Sequence, residues 1–161
     1  MHYSYHVHPI RQENPNDCWA ACAAMLLGLH GQEGVETVKQ RARAGGVRLG
    51  VFAPNSGAIE PASVPTLARV LGLSVRDSRS ESLSAAVLTA VIGHGAAAAF
   101  GGFNYEGQSA SNNHVLLFTG ANGEDANPTI SLIDPYTGRS RHYTVNQFNE
   151  SVGSVDYFLF R

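Results

Sequence analysis

The pattern of apolar and polar positions differs between the two halves of the chain. Residues 18–27 are almost all apolar helix formers, which predicts a buried helix ending at Gly28 or Gly31. Asp17 precedes this segment and is predicted to cap it. Further helices are predicted over 33–44, 64–71 and 82–92. In the third helix Ser63 is the expected cap, Pro65 lies in the first turn and Gly72 follows the end.

Short runs of β-forming residues follow, separated by Gly, Asn and Asp. They predict strands at 73–76, 96–103, 115–120, 130–134, 141–145 and 157–160, with a helical turn at 147–151. Residues 1–16 are predicted to be extended or irregular, and residues 45–62 to form a loop. Helices first and an antiparallel sheet second is an α+β order, which we expect in a single domain over residues 1–161.

Composition narrows the classes of function. The 161 residues are enough for one domain with a core, and only 15% are charged, with a formal net charge of -2. Because no Lys or Arg block is present, nucleic acid is not expected as the main partner. No apolar run reaches the ~18 residues needed to cross a bilayer, and the N-terminus does not read as a secretory signal. Two cysteines make no disulfide framework, which indicates a reducing compartment.

Cys18 is the candidate nucleophile because it is the first residue of the helix over 18–27. Cysteine attacks as the thiolate, which the positive end of a helix dipole and a nearby His⁺ both favour. Cys22 lies one turn deeper among apolar residues and is interpreted as an inert core cysteine. By position alone Cys18 could equally be an inert core thiol. The residues around it in the sequence are therefore needed to distinguish a reactive cysteine from an inert one.

Gln12 lies six residues before Cys18, and Trp19 follows Cys18 directly. Attack on an amide creates an oxyanion that needs preorganised donors. The Gln12 side-chain amide and the Cys18 backbone N–H at the helix start are candidates for that role. This Gln-x5-Cys-Trp spacing resembles the active-site region of papain-like cysteine proteases.

The base should be a histidine that comes later in the sequence. His114 follows Asn113 and opens an apolar strand that ends at Gly120, again similar to the papain-like pattern. The remaining histidines lie in the N-terminal segment, after a helix, between glycines or on a polar strand: His2, His6, His8, His30, His94 and His142.

Asp134 ends the strand over 130–134 and precedes Pro135. In an antiparallel pair the end of this strand returns to the start of the previous one, which predicts Asp134 beside His114. There it can hold the imidazole tautomer and stabilise the imidazolium. An Asp before Pro also commonly begins a turn, and the two interpretations are compatible.

Papain has Asn where this chain has Asp134. The Asp-Pro pair instead resembles the bacterial double-glycine leader peptidases and the papain-like effector proteases of plant pathogens. The resemblance covers residues 12–28 and 113–138, and it implies a minimal papain-like core with a Cys18–His114–Asp134 triad, no cofactor and no metal. The resemblance does not extend to residues 31–112, which are expected to select the substrate. Gly102, Tyr105, Asn113 and Trp19 are expected near the cleft.

The resemblance implies a cysteine endopeptidase that cleaves an intracellular protein. By analogy with minimal cores of this kind, we expect a bacterial effector or toxin domain in bacterial competition. A specialised secretion system would deliver it, without a signal peptide, into the cytoplasm of a competitor or host cell. A cognate immunity protein is the expected partner besides the protein substrate, and no membrane partner is expected.

The sequence leaves three alternatives open. A peptidoglycan amidase would share the Cys–His core, although the Gln12 spacing and the Asp-Pro pair favour a protease. A peptide-binding module that has lost catalysis is the second, although Gln, Cys, His and Asp are all present. Cys18 and Cys22 could instead begin a zinc site. No Cys-x-x-Cys or His-x-x-x-His motif supports that site.

Overall fold

The computed structural model describes residues 1–49, 59, 61–104 and 111–161. The helices are α1 (Cys18–Leu26), α2 (Gly31–Ala44), α3 (Val64–Leu71), α4 (Ala85–Ile92) and the short α5 (Val145–Gln147). A 3-10 turn, Pro61–Ser63, leads into α3, and a π-helical turn, Phe148–Val152, follows α5. The strands are β1 (His2–Ser4), β2 (Ser74–Asp77), β3 (Ala97–Phe103), β4 (Ser111–Asn122), β5 (Thr129–Asp134), β6 (Arg139–Thr144) and β7 (Gly153–Phe160).

The described strands form one seven-stranded sheet in which every pairing is antiparallel. The order is β2-β7-β3-β4-β5-β6, and β1 pairs with the end of β4. Strand β4 is therefore central. Its start pairs with β3 at Gly101–His114, and its second half pairs with β5.

Hydrophobic cores form on both faces of the sheet, as the alternation of β4 requires. Leu117 belongs to the core that contains α1, α2 and α3, whereas Leu116 and Phe118 belong to the core that contains α4. The first core is built around Trp19, Val35 and Leu67, and the second around Leu88, Phe148 and Phe158. Helix α1 is thus held between the sheet and the other N-terminal helices.

Helix α1 is buried on every side, and most of its side chains are small. Four alanines of this helix, Ala20, Ala21, Ala23 and Ala24, are 0% exposed. Small side chains allow a close approach to the sheet, and the Cys22 Sγ lies 3.5 Å from the Val115 carbonyl oxygen on β4. Helix α1 therefore packs directly on the central strand, β4.

The α+β order is confirmed, and every predicted helix and strand has a counterpart in the structure. Three differences concern strands. Strand β1 occurs inside a segment predicted to be extended or irregular, β4 is longer at both ends, and β7 begins at Gly153 rather than at residue 157. Of the predicted loop over 45–62, residues 50–58 and 60 lie outside the described residues. No helix in the described part of the chain is long and apolar enough to cross a membrane.

Asp17 and Ser63 occupy the predicted N-cap positions of α1 and α3, but neither side chain makes a cap hydrogen bond. The Asp17 side chain makes no cap hydrogen bond to α1, because its carboxylate instead pairs with Lys39 on α2. Ser63 makes no side-chain cap either and belongs to the 3-10 turn that precedes α3. The predicted Pro65 and Gly72 positions are confirmed, and Gly72 has a φ of 69°, the left-handed conformation that suits glycine.

Candidate active site

Cys18 occupies the first position of α1 and is 4% exposed. The segment before it is tied back by a hydrogen bond from the Asp17 N–H to the Asn14 carbonyl. The first N–H groups of a helix have no acceptor within the helix, so the start of α1 presents donors and positive potential next to the sulfur.

His114 and Asp134 meet at the end of the sheet. The His114 Nε2 lies 2.9 Å from the Asp134 Oδ1, and the two side chains are 13% and 1% exposed. Asp134 is held by its own turn, because Oδ1 also accepts from the Tyr136 N–H at 3.0 Å and its carbonyl accepts from the Gly138 N–H at 2.7 Å. The carboxylate is therefore fixed in orientation when it contacts the ring.

The Cys18 thiol also makes a hydrogen bond with the His114 side chain. Since Nε2 faces Asp134, Nδ1 is the ring nitrogen left for the sulfur. Phe103 on β3 packs edge-on against the same imidazole, with ring centroids 6.5 Å apart and planes at 75°. The imidazole is thus bounded by a thiol, a carboxylate and an aromatic ring.

The charge state of His114 follows from these contacts. Burial lowers the pKa of His114, but the hydrogen bonds to Asp134 and to Cys18, with the charges of both partners, raise it further, to about 9 from an ordinary 6.5. Near neutral pH the ring is therefore an imidazolium between two groups that favour its positive charge.

Cys22 has the opposite character. It is 0% exposed, and burial, followed by the charges of Cys18 and Asp134, raises its thiol pKa well above the ordinary value. Its Sγ is directed at the Val115 carbonyl oxygen. The described residues contain no group of three or more His, Cys, Asp or Glu side chains arranged to hold a metal ion.

Gln12 is near the site, but its amide nitrogen is engaged elsewhere. The side chain belongs to a residue that is 7% exposed, and Nε2 donates to the carbonyls of Asn14 at 3.0 Å and Pro15 at 2.9 Å. The Gln12 backbone N–H donates to the Pro135 carbonyl, which joins this segment to the turn after Asp134. The Oε1 is buried and has no hydrogen-bond partner among the described residues.

The residues predicted at the cleft have different outcomes. Trp19 is 1% exposed and packs in the core, and its predicted place beside the cleft stays a prediction. Tyr105 lies outside the described residues, and for Asn113 the structure describes only its place in β4. Gly102 lines an open surface cavity of about 440 Å³.

That cavity and one ion pair are features that the sequence did not predict. Gly102, Phe103 and Asn104 at the end of β3 line the cavity together with residues 149–154. Phe103 also packs edge-on against the His114 ring, whereas Cys18, His114 and Asp134 are not among the described residues that line this cavity. The second feature is the pairing of Asp17 with Lys39, which brings a lysine from α2 beside the residue preceding Cys18.

A thiol at the start of a central helix, in contact with an imidazole on an antiparallel sheet, is the arrangement of papain-like cysteine proteases. The sequence model of the papain-like cysteine protease AvrRpt2 family matches residues 1–153. The chain belongs to this family. No curated protein and no solved structure matches the chain.

Proposed function

We propose that the chain is a cysteine endopeptidase in which Cys18 is the nucleophile, His114 the acid-base group and Asp134 the residue that orients His114. One observation carries the proposal: the His114 ring contacts the Asp134 carboxylate, at 2.9 Å from Nε2, and the Cys18 thiol at the same time. Acyl transfer by a thiol requires these two relations.

The course of the reaction follows from the charge state of His114. The Cys18 thiolate attacks the scissile carbonyl carbon, a C–S bond forms and the carbonyl oxygen becomes an oxyanion. The His114 imidazolium then gives its proton to the leaving nitrogen as the C–N bond breaks. Neutral His114 takes a proton from the water that attacks the thioester and so becomes the imidazolium again. The C–S bond then breaks, which releases the acid product and restores the Cys18 thiolate beside the imidazolium.

The oxyanion needs donors, and we assign this role to the Cys18 backbone N–H and the Gln12 amide. For Gln12 to donate, Nε2 must exchange at least one of its carbonyl partners, Asn14 or Pro15, for the oxyanion. Substrate binding next to this loop is the event that we expect to cause the exchange.

The open cavity lined by Gly102, Asn104 and residues 149–154 is the proposed position of part of the substrate peptide. Phe103 lines this cavity and packs edge-on against the His114 ring. Its polar lining, which includes Glu150 and Ser151, suits an extended main chain that needs hydrogen-bond partners.

For the biological role we propose a bacterial effector or toxin domain that cleaves an intracellular protein after delivery into a competitor or host cell. The Asp134-Pro135 pair and the Gln12–Cys18 spacing, which resemble effector proteases of plant pathogens, support this proposal. A cognate immunity protein in the producing cell is the expected inhibitor.

The test is to express the wild type, Cys18→Ala and Cys22→Ala in candidate target cells and to compare new protein N-termini by proteomics. New N-termini in the wild type and Cys22→Ala, but not in Cys18→Ala, are expected. Purified peptidoglycan should remain intact in a parallel digestion. Release of stem peptides from peptidoglycan, without new protein N-termini, would instead identify an amidase.

A further inference from the structure

A carboxylate that the proposed mechanism does not use stands directly before the nucleophile. Asp17 is 4% exposed, and its side chain makes no cap hydrogen bond to α1. A buried carboxylate is costly unless a partner balances its charge. An unbalanced negative charge at this position would also oppose the Cys18 thiolate, since like charges repel most strongly where water is excluded.

Lys39 supplies the balancing charge. It reaches from α2, where the buried Val35 and Val38 pack the helix in the core, and its Nζ lies 3.3 Å from the Asp17 Oδ1 and 3.4 Å from Oδ2. The lysine side chain is 15% exposed and that of Asp17 is 6% exposed, so little water screens the pair. Glu36 also approaches the same ammonium, at 3.5 Å, but its side chain is 52% exposed.

We propose that Lys39 is a positioning residue that neutralises Asp17 and so allows the Cys18 thiolate to form beside it. This inference rests on the proposed function of Cys18. His114 from β4 contacts the sulfur and favours the thiolate, and its own charge balances that of Asp134 from β5. Asp17 is the carboxylate on the α1 side, and Lys39 is its counter-ion.

A purely structural role, in which the ion pair only fastens α2 to α1, makes a different prediction. It requires the pair to be intact for folding but gives the charge of Asp17 no influence on the sulfur. The proposed role depends on charge alone, so removal of both charges should restore the alkylation rate that removal of the lysine alone lowers.

The experiment uses the full chain with Cys22→Ala, so that Cys18 is the single thiol. Rates of iodoacetamide alkylation of Cys18 are measured by mass spectrometry from pH 5 to pH 8 for K39M, K39R, D17N and D17N/K39M. E36Q is the matched control, because it removes the exposed partner of the same lysine. Near-UV circular dichroism checks the fold of each variant.

K39M should slow alkylation at pH 6 by about tenfold, the order of effect expected when a poorly screened neighbouring charge loses its counter-ion. K39R, E36Q and D17N/K39M should stay within about twofold of the parent, since each leaves Asp17 balanced or uncharged. The pH range in which the alkylation rate of Cys18 rises should lie higher in K39M than in the parent. Weaker attachment of α2 to α1 would not by itself cause that shift.

A K39M profile that overlays that of the parent overturns the inference, as does a double variant as slow as K39M. If K39M does not fold, D17N decides. The proposal requires D17N to react at least as fast as the parent, and a tenfold loss in folded D17N contradicts it. Failure of the proposed function is recognised separately, because Cys18 of the parent would then resist alkylation at pH 6.

Discussion

The imidazole of His114 at the end of the sheet bonds the carboxylate of Asp134 through Nε2 at 2.9 Å. The Tyr136 N–H in the next turn fixes the Asp134 carboxylate. The His114 ring therefore cannot rotate without loss of its hydrogen bond to Asp134. Its second nitrogen is then directed to Cys18. One buried carboxylate thus fixes the orientation of the ring that also contacts the Cys18 thiol.

Asp134→Asn should remove the negative charge beside His114 and keep the hydrogen-bond acceptor that orients the ring. An asparagine oxygen can still accept from Nε2 but no longer stabilises the imidazolium, so the pKa of His114 should fall below about 9. We expect kcat/KM to fall at least about tenfold, and more in Asp134→Ala, where orientation is also lost. NMR titration of the His114 ring and peptide hydrolysis measure the two effects. Asp77→Asn, at an exposed ion pair with Arg79, is the control. Full activity in Asp134→Ala would contradict the assignment.

Protonation of His114 should also make stability depend on pH. Its folded pKa of about 9 lies above the ordinary 6.5, so the folded state binds the proton more tightly than the unfolded state. The resulting stabilisation is fully present below about pH 6.5 and is lost as pH rises through about 9; it amounts to at most about 3 kcal/mol.

Urea unfolding at pH 6, 7.5 and 9 measures this dependence. His114→Gln should remove the loss of stability between pH 6.5 and 9, whereas His142→Gln, at an exposed position on β6, should retain it. If the free energy of unfolding depends on pH in the same way in the wild type and in His114→Gln, the prediction is wrong.

Gln12→Ala should reduce hydrolysis without an equal effect on alkylation. Peptide hydrolysis passes through an oxyanion and alkylation by iodoacetamide does not. Loss of the Gln12 donor should therefore lower kcat by about 10- to 100-fold and leave the alkylation rate of Cys18 nearly unchanged. Gln40→Ala, at an exposed position on α2, is the control. Equal losses in both reactions would assign Gln12 to holding the Asn14–Pro15 carbonyls instead.

Cys22→Ala should retain activity and lose some stability. The Cys22 thiol is buried, its raised pKa keeps it protonated, and it contacts the Val115 carbonyl. Removal of a buried sulfur of this size should cost about 1 kcal/mol. Native protein should incorporate iodoacetamide at Cys18 alone, and denatured protein at both cysteines. Labelling of Cys22 in the native state would show that α1 opens.

The fold was largely predictable because its helices and most strands carry strong local signals. Strand β7 shows the limit. Only its apolar end was predicted, since Gly153 and Asp156 are poor strand formers, yet β7 pairs with β2 and β3 on its two edges. Pairing on both sides outweighs the weak local preference.

At the site, chain order was sufficient to predict which residues meet but not how each side chain is engaged. Asp17 precedes a helix and so reads as a cap, but a lysine 22 residues later binds its carboxylate. Gln12 was predicted near Cys18, yet two nearby carbonyls determine the direction of its amide. Long-range ion pairs and local side-chain rotamers produce no periodic pattern in a sequence from which they could be predicted.

The alanines of α1 have a consequence for the evolution and engineering of the enzyme. Ala20, Ala21, Ala23 and Ala24 are 0% exposed, so a larger side chain at any of them must shift the neighbouring side chains or move α1 relative to β4. Because Cys18 is the first residue of the same helix, any movement of α1 would also move the sulfur relative to the His114 ring on the sheet. Single Ala→Val changes well away from the reacting atoms would therefore yield graded, temperature-sensitive forms of the enzyme.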